Sequence, residues 1–228
     1  MAKHVALIVV AVLAMLLASP AALPTSAAGE AALARYMFVS DEYFQMVVEL
    51  DGRELVTVEV NQLSDYVAIP SDRAHTLVLR ARGLGLPDKV VRRITNYRPA
   101  VGTSGIEIYR DDGVSVGVAD AGPTPAGKSV VNVIWGPTGS AEVRFGHERF
   151  RIEPNGGPGI TRVVDPQTAP LELRAPDGRL IDRQFLRAQP DYRYDVVVAQ
   201  PNENVEAARL VVKRVSPQLQ ARPTPTQV

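Results

Sequence analysis

The exported part of this chain is expected to be all-β, with two small β-sandwich domains of Ig-like or jelly-roll-like type in tandem. Three observations predict it. Period-2 alternation recurs along the chain, while helical periodicity is almost absent after the N-terminus. Turn residues stand between the β-rich runs where hairpins need them. A breaker-rich stretch at residues 120–128 divides the strands into halves of similar length.

The expected hairpins follow in order. Residues 44–50 and 53–60 flank Asp51-Gly52, a pair suited to a type I′ turn because both central positions need φ > 0. Residues 76–79 form another strand. Residues 105–109 and 114–118 flank Asp111-Asp112-Gly113. After the break, residues 130–135 read as a buried strand, and residues 142–145 and 149–152 flank Gly146-His147. Residues 171–173 run into a Pro176-Asp177-Gly178 turn, and residues 194–198 and 207–212 are the last strands. Gly156-Gly157-Pro158-Gly159 reads as a bend between strands. The expected division is a signal peptide at 1–28, one sandwich at 31–119, a linker at 120–128, a second sandwich at 129–215 and a disordered tail at 216–228.

The halves echo each other. Ile69-Pro70 followed by Thr76-Leu77-Val78-Leu79-Arg80 matches Val164-Asp165-Pro166 followed by Pro170-Leu171-Glu172-Leu173-Arg174. Phe38 and Arg80 stand 42 residues apart, and Ile134 and Arg174 stand 40 apart. An internal duplication of strand, hairpin, polar bend and strand accounts for this.

The first 28 residues predict export. Lys3 and His4 precede 14 unbroken apolar residues, 5–18, and small residues follow, as in a secretory signal peptide. A bilayer span needs roughly 20 apolar residues, so this run is short for a permanent anchor. Periplasmic localisation follows. There is no cysteine, which excludes disulfides, thiolate metal sites and a lipid on an N-terminal cysteine. Formal charges balance at 25 basic and 25 acidic residues, so no overall field draws the protein to nucleic acid. Arginine outnumbers lysine 21 to 4. Codon bias explains that simply; bidentate recognition of glycan carboxylates is the functional alternative.

No catalytic constellation is legible. Of three histidines, His4 leaves with the signal peptide, His75 precedes a strand and His147 sits at a hairpin tip. None has a ligand or nucleophile at useful spacing. Gly102-Thr103-Ser104-Gly105 is not a nucleophile elbow, and Gly83-Leu84-Gly85-Leu86 is not a phosphate loop. The expectation is therefore no enzyme, no metal and no cofactor. Aromatic residues are expected mainly in the cores, with a sugar-stacking platform as the sharper alternative. The candidate ligand or partner contacts are Tyr36, Tyr43, Tyr66, Trp135 and His147.

Four stretches carry a family resemblance: Arg35-Tyr36-Met37-Phe38-Val39; Leu63-Ser64-Asp65-Tyr66-Val67-Ala68-Ile69-Pro70; residues 130–135; and residues 171–183 with their Pro-Asp-Gly turn. Together they resemble the AlgF-like periplasmic accessory proteins of alginate O-acetylation. Residues 36–79 are also similar to a class of bacterial extracellular β-domains. The chain departs from the first family in having only Pro70-Ser71-Asp72 where a Pro-Gly feature belongs, and no functional residue transfers. The resemblance implies a non-catalytic adaptor for exopolysaccharide O-acetylation. Its partners would be periplasmic and membrane O-acetyltransferase proteins and an acidic polysaccharide. Two other classes fit the outline. A pilus-assembly chaperone would need an Arg-Lys anchor, for which Lys128 is a candidate, and a polysaccharide esterase would need His75 or His147.

Overall fold

A computed structural model describes residues 31–120, 122–135, 140–153, 159–201 and 204–217. The expected signal peptide lies outside them, as do Gly156, Gly157 and Pro158 and the tail beyond Pro217. Sixteen strands carry the described fold. Domain 1 holds β1 (Ala31–Val39), β2 (Gln45–Leu50), β3 (Arg53–Glu59), β4 (Val67–Pro70), β5 (His75–Arg82), β6 (Lys89–Tyr97), β7 (Ser104–Arg110) and β8 (Ser115–Ala119). Domain 2 holds β9 (Ser129–Trp135), β10 (Ala141–Phe145), β11 (Glu148–Ile152), β12 (Gly159–Val164), β13 (Gln167–Arg174), β14 (Leu180–Ala188), β15 (Arg193–Ala199) and β16 (Arg209–Val215).

Each domain is a sandwich of two four-stranded sheets. In domain 1 the outer sheet runs β3-β2-β5-β6 and the inner sheet β4-β1-β7-β8. Adding eight to every strand number gives domain 2: outer β11-β10-β13-β14, inner β12-β9-β15-β16. Even the one parallel pair of each inner sheet repeats, β1 with β7 and β9 with β15. The topology is thus duplicated, but the expected register is one residue out. Phe38 points into the core of domain 1, as Trp135 does in domain 2, whereas Ile134 points out of it. A one-residue slip exchanges the faces of a strand.

The turn chemistry works as the residues require. Asp51 and Gly52 adopt φ of 51° and 77°, so both central residues are left-handed, and Gly146 at the β10–β11 turn has φ 58°. Pattern reading marked none of β1, β4, β6, β12 and β14, the first, second and last of which entered only through the family resemblance; all but β1 lie at sheet edges. β6 is mostly exposed and its pairing with β5 shifts register twice. An edge strand with little buried surface has no reason to alternate cleanly.

The two inner sheets pack back to back. Met37, Val39, Ile106 and Ile108 of domain 1 meet Ile134, Val197 and Ala199 of domain 2 in one apolar cluster. The molecule therefore stacks four sheets with three apolar layers. Every residue of β9 and β15, and nearly every one of β1, is buried because these strands have core on both faces.

Candidate functional site

The seam between the inner sheets is apolar at one end and charged at the other. Alternation explains the switch. On β1 the seam-facing residues are Arg35, Met37 and Val39; on β15 they are Arg193, Asp195, Val197 and Ala199; on β9 Asn132 precedes Ile134. The polar residues of all three strands thus fall at the same end.

There Arg35 donates through an Nη to the Asp195 carboxylate at 2.8 Å across the seam, with both side chains almost completely covered. Asn132 Nδ2 donates to the other Asp195 oxygen at 3.2 Å, and Thr161 Oγ1 donates to the Asn132 carbonyl at 3.0 Å. The Arg193 guanidinium lies 3.1 Å from Asp195 and 3.2 Å from Asp120, which follows β8. Arg193 also donates to the Tyr66 hydroxyl at 2.6 Å, and that hydroxyl donates to Asp120 at 2.5 Å. Two guanidiniums thus face two carboxylates in a closed network. Burial drives the Asp195 carboxyl upward from the ordinary carboxylate range, while Arg193, Arg35 and Asn132 pull it down. The Tyr66 hydroxyl is raised, mainly by burial.

A groove opens beside this network, lined by Arg35, Asp65, Tyr66, Tyr192, Lys213, Arg214 and Ser216. The Arg35 guanidinium sits 4.3 Å from the Tyr66 ring centre and that of Arg214 sits 4.8 Å from the Tyr192 ring. Lys213 Nζ, on β16, reaches Asp65 of domain 1 at 2.9 Å and holds its carboxyl below the ordinary range. With Lys213 paired to Asp65 and Arg35 to Asp195, Arg214 is the groove cation without a carboxylate partner among the described residues, and it stands beside two tyrosine rings.

Of the expected contact residues, Tyr66 alone lies in this seam. Tyr36 and Trp135 are corrections. Tyr36 is fully covered in the domain 1 core, where burial, and then the nearby Glu107, raises its hydroxyl. Glu107 accepts from Tyr97 at 2.9 Å and from Tyr109, so these tyrosines form an internal knot. Trp135 belongs to the domain 2 core. Neither can present a stacking face to a ligand. Tyr43 is half-buried, with Lys89 Nζ 5.9 Å from its ring centre. His147 is exposed at the β10–β11 turn.

His75 is buried, with Nδ1 2.8 Å from an Asp51 oxygen and Nε2 3.0 Å from the Pro70 carbonyl oxygen. It fastens the β2–β3 turn to the end of β4. Lys128 Nζ is paired with Asp165 at 2.6 Å, and Gly127 N donates to Asp191 at 2.7 Å. Among the described residues no three His, Cys, Asp or Glu side chains converge as metal ligands.

Sequence reading missed Arg35, Asp120, Asn132, Arg193 and Asp195. The available signal was a charged residue inside an otherwise apolar strand run, as in Arg193-Tyr194-Asp195-Val196-Val197-Val198. Compared with known protein families the chain matches no family model, and no curated protein matches it.

Proposed function

We propose that this chain is a non-catalytic periplasmic adaptor in exopolysaccharide O-acetylation, binding the acidic polymer, an acetyltransferase partner, or both. The single observation that carries the reading is the charged, aromatic-lined seam. An adaptor must hold separate contact surfaces at fixed geometry, and a buried ion-pair network joined to an apolar cluster holds the two sandwiches that way. Buried charged contacts resist sliding more than apolar ones do, because any displacement leaves a charge unpaired. The groove beside the network adds guanidinium, ammonium and tyrosine faces to the surface.

On this reading the protein itself makes no bond. Acetyl transfer would belong to the partner, and this chain would position polymer or enzyme. Affinity capture with the full chain from its native host tests this. Recovery of a membrane acyltransferase or an esterase-like periplasmic acetyltransferase is expected; recovery of neither overturns the reading.

A further inference from the structure

The outer sheet of domain 2 has a face that the seam does not use. Phe145, Phe150, Leu171 and Leu186 point from its strands into the core. The alternate positions face away from the core: Glu142 and Arg144 on β10, Arg149 and Arg151 on β11, Glu172 and Arg174 on β13, and Arg183, Phe185 and Arg187 on β14. Six arginines face two glutamates within the strands, and Glu153, just past β11, lines the same hollow as Arg144, Arg151 and Arg174, which leaves an excess of three positive charges on one sheet face.

The carboxylates lie low and the guanidiniums stand above them. Glu142 and Glu172 side chains are 16% and 13% exposed, whereas those of Arg151 and Arg183 are 75% and 50% exposed. Glu142 pairs with Arg144 and, at 3.9 Å, with Arg151. Glu172 holds Arg174 at 2.7 Å and Arg183 at 3.2 Å. Each glutamate thus orients two guanidiniums. Arg149 and Arg187 are exposed and have no carboxylate partner among the described residues. Beside them Phe185 is 75% exposed, with the Arg183 guanidinium 5.9 Å from its ring centre.

The matching sheet of domain 1 lacks this pattern. Its outward positions are Val47, Glu49, Thr57 and Val78 mixed with Arg80, Arg82 and Arg93, and there Arg80 is bonded to Glu49 and Arg82 lies 3.5 Å from Asp88.

We propose that the outer face of β10, β11, β13 and β14 binds a carboxylate-bearing polysaccharide, with the guanidiniums taking uronate carboxylates and Phe185 stacking on a sugar ring. The choice of polymer rests on the adaptor reading above. Charge complementarity carries the rest: a planar guanidinium matches a carboxylate bidentately, and a lone aromatic ring among such groups suits a sugar's apolar face. An anionic membrane is a poorer match. A membrane-binding surface places a broad apolar area below its cations, and here Phe185 and Leu180 are the only large apolar side chains exposed among the described residues of these four strands.

Isothermal titration of the full chain with polygalacturonate tests the site, with dextran and phosphatidylglycerol vesicles as comparisons. Binding to polygalacturonate alone is expected, weakening with added salt. Arg149→Gln with Arg187→Gln should lower the affinity about tenfold, and Arg149→Lys with Arg187→Lys should restore only part, because the ammonium keeps charge but not the bidentate fork. Phe185→Ala should weaken it about threefold or more. Unchanged thermal midpoints show that the variants remain folded. No binding by the wild-type chain, undiminished binding by the Gln pair, or equal binding to dextran or vesicles would overturn the proposal. Affinity capture with the Gln pair as bait separates the two readings: recovery of the acetyltransferase partner alongside lost polygalacturonate binding supports both, and recovery of the partner with polygalacturonate binding intact sinks only the assignment to this face.

Discussion

Arg35 on β1 and Asp195 on β15 form a 2.8 Å ion pair across the two domains, 160 residues apart in sequence and covered on all sides. Asp195 also receives Arg193, so removing its carboxylate strands Arg35 and leaves Arg193 only Asp120 and the Tyr66 hydroxyl. Asp195→Ala is expected to cost about 3–5 kcal/mol of stability in chemical denaturation, the range for breaking a buried pair from one side. A loss within about 0.5 kcal/mol, the range of ordinary surface changes, would show that the network does not hold the seam.

Because the seam joins two cores, the domains should unfold together. Tryptophan fluorescence reports domain 2 through Trp135, the chain's single tryptophan, and circular dichroism reports both domains. The two transitions should coincide in the wild type. They should separate in Asp195→Ala; a wild type with two transitions contradicts the rigid unit.

Tyr66 separates ring from hydroxyl. Tyr66→Phe keeps the ring under Arg35 but removes the hydroxyl between Arg193 and Asp120. It should cost about 1–3 kcal/mol, because buried charged partners lose a bond. Tyr66→Ala should cost measurably more, and equality of the two would show that the ring contributes nothing.

Acid should weaken the turn held by Asp51. Its folded carboxyl is lowered by the Thr76 amide first and then by His75. A lowered folded value means that the contribution is present above the unfolded carboxylate value of about 4 and is lost as pH falls through the folded one. Thermal midpoints should therefore differ between wild type and Asp51→Asn at pH 7 and converge toward pH 3. A gap that stays constant with pH would contradict this.

The histidines give a contrast of place. His75→Ala removes two buried contacts and should lower stability by about 2 kcal/mol or more. His147→Ala, at an exposed turn, should stay within about 0.5 kcal/mol. If the protein showed esterase activity, its loss in either variant without loss of fold would revive a catalytic reading that the adaptor proposal denies.

Hairpins were legible because their causes are local. Asp51-Gly52 and Pro176-Asp177-Gly178 each carry the turn preference within a few residues, and the strands they join follow. The edges β6 and β12 were not, since neither needs a regular apolar face. Tyr36 and Trp135 show the corresponding limit for function: an aromatic residue reads alike whether it packs in a core or faces a ligand, and only the covering sheets distinguish them. The arginine excess was visible as a count, but six of those residues share one face only after β10, β11, β13 and β14 pair.

By itself the sequence determined the all-β class and the positions of the main turns, because alternation and φ preferences act over neighbouring residues. Tertiary structure alone decided that the two inner sheets join, that Arg35 meets Asp195, and which faces remain open. Those outcomes depend on pairings across as many as 160 residues, and burial on a strand's second face follows from the sheet that covers it.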